Sequence, residues 1–381
     1  METAKKKRKK DHPNPQEEEE IDRLSNLPED ILIRILSCLD TKYVVRTSVL
    51  TTKWKYLWTT VPSLNFDSNS FLRKDDFQEF VCNVLHKRDA NTPVTSCRLV
   101  LPGYLEKSVR NKCFSYVLSH NVNHLSIWMY QKGINQLPNP VLRCQTLQSL
   151  ELINFKLIKR SFSSSTLTSL SLRYCTFTTG GRCYDVSAKF PNLKNLCLHR
   201  CRLGKFKMLK ISGPNILRVS INGIFTMGEG NSSEECKVEL CAPNATYFCC
   251  DGNPFNFKTI SLPALQHAFI LPPSYPYEEV SDVEKIALLD LLQVISSAKY
   301  VALSSYIVTV LIGVSGLEYQ PSPFGKLKSL KLRGFYADRL SMLPEKVKSY
   351  LFPCPDTTIA ENMRIEYLIS GGSGGDIVEI C

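Results

Sequence analysis

The sequence predicts an α+β protein in which three short N-terminal helices precede an irregular α/β solenoid. Two observations carry this prediction. Residues 27–40 (LPEDILIRILSCLD) place apolar side chains at helical spacing, and one leucine pattern recurs from residue 146 onward. The 381-residue chain is 43% apolar and 22% charged, which is typical of a globular protein, so disorder is expected only at the two ends.

Residues 1–20 are predicted to form a disordered charged tail, because six basic and six acidic side chains surround no aliphatic cluster. The formal net charge of +11 therefore belongs to the rest of the chain and slightly favours acidic partners. The basic cluster matches the nuclear-import type, with a solvated tail as the alternative, and consists of Lys5, Lys6, Lys7, Arg8, Lys9 and Lys10. Nucleus, cytoplasm or both are the expected locations. No specific nucleic-acid binding is expected, because no aromatic stacking platform accompanies the lysines.

Cysteine usage and hydropathy predict a protein of a reducing compartment. No apolar stretch follows Met1, so a secretory signal is not expected, and the fifteen cysteines are interpreted as reduced core thiols. Residues 300–317 carry no charge, but a membrane helix needs about 20 apolar residues. The serines and β-branched residues of this segment favour buried strands, and no membrane partner is expected.

Residues 21–61 are predicted to form three short helices. Pro28 suits the first turn of the first helix, which is expected to end near Asp40. Asp40 or Thr41 can cap the second helix, and the third carries Trp54. The apolar arc of the first helix covers about half of its circumference, whereas packing on one core needs only about 100°. The apolar surface beyond this width predicts a binding surface for a partner. The alternative is that the whole arc packs against the following repeats.

The repeat pattern is L-x-x-L-x-L-x-x-[CF]. Its clearest copies lie in residues 146–157, 166–177, 192–203 and 326–336. The copies aligned on Leu147, Leu167 and Leu193 are separated by 20 and 26 residues, which is within the range of leucine-rich repeats. The leucines of each short strand should point inward, and neighbouring repeats must stack to bury them. The number of repeats after residue 225 stays open.

Residues 21–67 resemble an F-box, and closely the version found in plant F-box/leucine-rich-repeat proteins. The similarity rests on Leu27-Pro28, the apolar set of the first helix, VRTSVL at 45–50, Trp54 and Trp58. Residues 320–332 and 347–358 are similar to segments of the same family. The sequence therefore divides into an F-box (21–67), a linker (68–93), leucine-rich repeats (94–340) and a partly flexible C-terminal extension (341–381).

The resemblance implies the function of that family. There, the surplus apolar face binds the Skp-type adaptor of a cullin-containing ubiquitin ligase, and the repeats bind a protein target. The expected protein is thus a non-catalytic substrate receptor of an SCF-type ligase, with an adaptor-bound scaffold or regulator that degrades nothing as the alternative. The family's adaptor-contacting positions correspond to Leu27, Pro28, Ile31, Ile35, Leu36, Leu39, Val45 and Trp54.

A target surface is predicted on the outward side of the repeat strands. Successive side chains alternate in a strand, so the residues between and after the leucines face away from the core. The alternative is a merely solvated sheet face. The predicted surface comprises Glu151, Ser171, Arg173, Cys197, His199, Ser220, Asn222, Lys331 and Arg333.

Three patterns that could carry chemistry are interpreted as structural. Cys197, His199 and Cys201 alternate in CLHRC, but a tetrahedral zinc site needs four ligands. The G-x-S-x-G match at 371–375 has no histidine after it. A basic group on the repeats lacks a nucleophile or base to act on a bound phosphate; it consists of Lys194, Arg200, Arg202, Lys205 and Lys207. No metal, cofactor or catalytic residue is therefore expected.

Overall fold

The computed structural model describes residues 24, 26–103, 105–130, 135–136, 141, 144–157, 163–177, 182–227, 233–272, 280–333 and 343–352. The predicted tail with the basic cluster Lys5–Lys10 lies outside these residues, and so does the part of the C-terminal extension after residue 352.

The N-terminal helical unit (residues 24–62) begins with two short α-helices. Helix α1 (Glu29–Ser37) follows Pro28 and carries two acidic residues in its first turn, where they complement the helix dipole. It ends at Ser37, three residues earlier than expected. Helix α2 (Thr41–Arg46) is capped as the sequence predicts, because the Asp40 carboxylate accepts the backbone N–H of Lys42 at 2.8 Å.

The predicted third helix is not an α-helix. A 3-10 helix (Thr47–Val49) follows α2, residues 51–56 form turns, and a second 3-10 helix spans Leu57–Thr60. The backbone N–H of Leu57 donates to the carbonyl of Trp54, three residues back, at 3.3 Å. The β-branched residues at 59–61 and the proline at 62 disfavour the continuation of an α-helix.

The rest of the described chain is a solenoid of mainly parallel strands and connecting helices. Its strands are β1 (Ser63–Asp67), β2 (Ser96–Leu101), β3 (His124–Met129), β4 (Asn135–Gln136), β5 (Ser149–Ile153), β6 (Phe155–Leu157), β7 (Ser169–Arg173), β8 (Thr176–Phe177), β9 (Cys183–Asp185), β10 (Asn195–Arg202), β11 (Met208–Ser212), β12 (Arg218–Met227), β13 (Ser233–Glu235), β14 (Lys237–Cys241), β15 (Tyr247–Cys250), β16 (Phe257–Ser261), β17 (His267–Ile270), β18 (Tyr300–Ser304) and β19 (Ser329–Arg333). Its α-helices are α3 (Lys74–Lys87), α4 (Lys107–Ser119), α5 (Val186–Lys189), α6 (Asp282–Val294), α7 (Ser305–Ile312) and α8 (Glu345–Leu351).

Two sheets enclose one core. The main sheet runs β1-β2-β3-β5-β7-β10-β12-β15-β17-β18-β19, and all of these neighbours pair in parallel. A second sheet runs β16-β14-β11-β9 and contributes buried side chains such as Leu209 and Val238 to the same core. The parallel stacking of successive repeats follows from the fact that a single repeat cannot bury its own leucines.

The register confirms the predicted x-L-x-L strands. Leu150, Leu170, Leu196 and Val219 align across β5, β7, β10 and β12, and all four are buried. The residue before each buried turn position has a left-handed backbone, for example Arg200 with φ of 47° before the fully buried Cys201. This conformation turns the chain at the end of the strand, so that the predicted turn cysteine points inward.

The predicted linker at 68–93 is wrong. This segment contains a 3-10 helix (Ser68–Ser70) and α3, whose Phe77, Val81 and Val84 are buried in the solenoid core. Parallel strands need a crossover connection, usually a helix, and α3 supplies it between β1 and β2. The sheet therefore begins at residue 63, inside the predicted F-box, and not at residue 94.

Residues 300–317 and helix α8, near the C-terminal end of the described chain, are also part of the core. Residues 300–317 divide into β18, α7 and a 3-10 helix (Leu317–Tyr319), rather than strands alone. Helix α8 lies in the predicted extension and buries Val347 and Leu351. In the described part of the chain, no helix has both the length and the apolar character that a membrane crossing requires.

Candidate docking surfaces

The helical unit has a small core of its own. Leu32 and Leu36 of α1 pack with Val44 and three residues of the following turns, and the cluster consists of Leu32, Leu36, Val44, Trp54, Leu57 and Val61. Residues 32 and 36 are one helical turn apart, so they share the inward face of α1. Leu57, in the second 3-10 helix, belongs to this core and is 5% exposed.

This packing corrects the predicted set of adaptor-contacting residues. Leu36 and Trp54 are 1% and 3% exposed and face the small core, so they offer no surface to a partner. Ile35, on the neighbouring face of α1, and Leu39, just after the helix, are 40% and 41% exposed. Pro28 is exposed, whereas Leu27, Ile31 and Val45 are half-buried, and Val45 packs against the solenoid core.

Further exposed apolar side chains lie on the same unit. Together with Ile35 and Leu39 they form what we term the apolar surface: Leu24, Ile35, Leu39, Tyr43, Val49, Leu50 and Tyr56. Val49 is the most exposed of them at 85%. Helical periodicity predicted Ile35 and Leu39 but could not find the other five residues, because these lie outside α1. A concentration of large apolar groups on so small a unit is typical of an interaction site.

The helical unit is fixed to the solenoid by a buried arginine. Arg88, just after α3, is 5% exposed, and its Nη1 donates a hydrogen bond to the carbonyl of Val61. Burial lowers the pKa of the Arg88 guanidinium, and the neighbouring Tyr116 opposes this shift. The backbone N–H of Asn65 also donates to the Thr41 hydroxyl at 2.8 Å. These contacts hold α2 and the 3-10 helices against the first repeats.

The predicted target residues do lie on one face of the main sheet. One row joins Glu151, Ser171, Cys197 and Ser220, and a second joins Arg173, His199 and Asn222. Lys331 and Arg333 share this face on β19, four interstrand steps from β12. Cys201 has its side chain in the core, where its thiol lies 3.2 Å from the carbonyl of Leu172, so CLHRC does not bring its two cysteines and the histidine together.

The charged side chains of Glu151, Arg173 and Arg98 on the β2–β7 part of this face each have a partner. Arg173 Nε lies 3.5 Å from Glu151 Oε1, and the Ser126 hydroxyl donates to the other Glu151 oxygen at 2.7 Å. The guanidinium of Arg98 lies 4.8 Å from the centre of the Trp128 ring. Burial lowers the pKa of His199, and the nearby Arg200 and Arg173 lower it further. Within the described residues, no group of three or more His, Cys, Asp or Glu side chains could hold a metal ion.

Comparisons with known proteins identify the helical unit. The model of the F-box domain family matches residues 24–66. An F-box/LRR-repeat protein of Arabidopsis thaliana is 28% identical over 296 residues, which cover 74% of this chain and 90% of the relative. The chain carries an F-box domain and is a relative of plant F-box/LRR-repeat proteins.

Two further Arabidopsis thaliana relatives are described as F-box/FBD/LRR-repeat proteins. One is 32% identical over 205 residues, and the match spans 52% of this chain but only 47% of the relative. The other is 26% identical over 352 residues, covering 88% of this chain and 74% of the relative. The similarity thus extends from the F-box domain well into the solenoid.

An aromatic group on the outward face of the main sheet was missed in the sequence. The residues at equivalent positions of β12, β15, β17 and β18 are Arg218, Tyr247, His267 and Tyr300, and Phe269 lies in the next row. Residues 264–272 (ALQHAFILP) form a weak copy of the leucine pattern, so strand alternation extended to that copy would have placed His267 and Phe269 outward.

Proposed function

We propose that the protein is the substrate-receptor subunit of an SCF-type ubiquitin ligase. The F-box domain binds a Skp-type adaptor, which connects the receptor to a cullin, and the solenoid binds a protein target. The observation that carries this proposal is the apolar surface on a unit that is itself a matched F-box domain. Such a unit, of about 40 residues, is too small to be stable alone, and a partner that covers its apolar side chains completes it.

The receptor performs no bond chemistry in this proposal. It raises the effective concentration of target lysines near the ubiquitin carrier that other ligase subunits bring. Three thiols of the solenoid are unsuited to nucleophilic chemistry: burial raises the pKa of Cys175 and Cys236 to about 12 and that of Cys249 to about 11. These thiols are protonated at neutral pH and are therefore poor nucleophiles.

The test replaces two exposed apolar side chains, one in α1 and one just after it, and leaves the buried face of the helix intact. We expect Ile35→Ala with Leu39→Ala to weaken co-purification with a Skp-type adaptor by about thirtyfold or more, because loss of an interface anchor costs about 2 kcal/mol or more. The matched control is Val283→Ala with Ile286→Ala on α6, whose side chains are 77% and 60% exposed. The control variant should bind the adaptor normally.

Undiminished adaptor binding by the α1 variant would contradict the proposal, provided that its thermal unfolding matches that of the parent protein. A non-degradative scaffold makes a different prediction. If adaptor binding is confirmed but the levels of bound targets do not rise when the proteasome is blocked, the scaffold describes the protein better than the substrate receptor.

A further inference from the structure

The outward face of β12, β15, β17 and β18 carries packed aromatic rings. The guanidinium of Arg218 lies 4.3 Å from the centre of the Tyr247 ring, and the Tyr247 and Phe269 ring centres are 5.2 Å apart. The rings of His267 and Tyr300 stack with centres 4.7 Å apart and planes 9° from parallel. Tyr300 is 41% exposed. These contacts fix the side chains of an apolar platform with a cation at one edge.

Cations flank this platform on both sides. Arg218 lies on β12, while Lys331 and Arg333 lie on β19 at the other end. The one carboxylate on the outward face of these described strands and their immediate ends belongs to Asp251, which accepts a hydrogen bond from the Asn222 amide at 2.7 Å and is also close to Arg333. The β12–β19 face therefore has a net positive charge, whereas the β2–β7 face pairs Arg173 with Glu151.

We infer that the face from β12 to β19 is the target site and binds an extended acidic segment of a protein, with an apolar residue between two carboxylates. The inference rests on the proposed function and specifies the partner's chemistry. The apolar residue contacts Phe269 and Tyr300, and the carboxylates pair with Arg218 at one end and with Lys331 or Arg333 at the other. Aromatic side chains and arginine are also the residue types that dominate binding energy at protein interfaces.

The geometry sets the length of the bound segment. Four interstrand steps separate β12 from β19, and at about 4.8 Å each they span about 19 Å. An extended chain covers about 3.3 Å per residue, so the two carboxylates should be about six residues apart. A segment with adjacent carboxylates could engage only one end of the site.

The experiment selects peptides from a displayed library of random twelve-residue sequences against the full-length protein bound to its adaptor. We expect enrichment of sequences with two acidic residues about five to seven positions apart and an aromatic or aliphatic residue between them. Selected peptides should bind Arg218→Glu about tenfold or more weakly, because a charge-assisted contact is lost. Tyr300→Ala should weaken the same peptides without any change of charge.

The matched control is Arg98→Glu, because Arg98 also lies over an aromatic ring on the outward face, but in the β2–β7 part. It should bind the selected peptides normally. Selected peptides without paired acidic residues, a library that yields no binders, or equal binding to the Arg98 and Arg218 variants would each overturn the inference. Adaptor co-purification is scored on the same samples. If it persists while peptide selection fails, the target site is wrong and the proposed function stands; if it is absent, the proposed function itself fails.

Discussion

The F-box domain and the solenoid differ in which apolar side chains they bury and which they expose. The F-box domain buries a cluster of six residues and leaves the apolar surface exposed between residues 24 and 56. The solenoid buries the leucines of its repeat strands in one continuous core and exposes a polar and aromatic sheet face. Under the proposed function, the difference corresponds to two kinds of docking: the F-box domain binds a partner that removes apolar surface from water, whereas the solenoid offers fixed charges and rings on a stable support.

Trp54→Ala should produce the largest effect. A small effect would contradict this comparison. Trp54 is 3% exposed and belongs to the six-residue cluster, so the change should lower the free energy of unfolding of the F-box domain by about 3–5 kcal/mol. Hydrogen exchange should show the loss of protection in residues 29–60 while β2 and β3 stay protected. Equal loss in both regions would mean that they unfold as one unit.

Leu198→Ala is the corresponding change in the solenoid. Leu198 is buried in the continuous core, and its truncation should cost about 2–5 kcal/mol. Protection should fall in β7, β10 and β12 first, because each repeat contacts mainly its neighbours. Adaptor binding should be unaffected. Reduced adaptor binding would show that the F-box domain depends on the middle of the solenoid.

Arg88→Ala tests the contact between the two regions. The change leaves the carbonyl of Val61 without its buried donor, and we expect a loss of about 1–3 kcal/mol. Chemical denaturation should then change from one transition to two, with the F-box domain unfolding first. Lys87→Ala, next to Arg88 but exposed, is the control and should keep a single transition. A single transition for Arg88→Ala as well would contradict the assigned role.

Two substitutions test the left-handed backbone conformation at the solenoid turns. Gly223 and Arg200 occupy the same turn position with φ of 53° and 47°. Gly223→Ala should destabilise the protein by about 1–2 kcal/mol, because a side chain disfavours this conformation and its Cβ would lie 3.1 Å from the Phe225 ring. Arg200→Gly should stabilise it by up to about 1 kcal/mol. Thermal unfolding measures both, and opposite signs are the expected result.

The smallest effect concerns pH. Burial lowers the pKa of His267 below its ordinary value of 6.5, and the charge of Arg218 lowers it further. His267 also stacks on Tyr300. The unfolded chain therefore takes up a proton near pH 6.5 that the folded chain accepts only at lower pH, so stability falls as pH decreases below 6.5. His267→Gln should reduce this fall in the melting temperature. An identical pH profile would exclude the contribution.

Periodic patterns allowed much of the solenoid to be predicted. The leucines of β5, β7 and β10 are buried in register because the same spacing recurs, and Cys201 fills the predicted turn position. The helix in 68–93 was missed although Phe77, Val81 and Val84 have helical spacing, because no copy of the leucine pattern surrounds it. The third F-box helix was predicted from apolar spacing, but 3-10 turns bury Trp54 and Leu57 equally well.

The docking surfaces were harder to predict because burial depends on tertiary neighbours. Ile35 and Leu36 are adjacent in sequence and similar in chemistry, yet only Leu36 faces the small core. The residues predicted to face outward do so where the repeat pattern is regular, on β5, β7, β10 and β12. The aromatic group on β15, β17 and β18 was missed because Tyr247 and Tyr300 lie in strands without a clear leucine pattern.

Strand β1 has a consequence for protein engineering. The F-box family match ends at residue 66, inside β1, and β1 pairs with β2 at five positions. A solenoid cut after residue 67 would lose its first strand and expose β2 as an edge that can aggregate. A chimera joined just after residue 67 would carry a strand whose partner is foreign. A chimera joined at residue 62 keeps the β1–β2 pair within the solenoid, and its junction must preserve the contacts of Arg88 with Val61 and of Asn65 with Thr41.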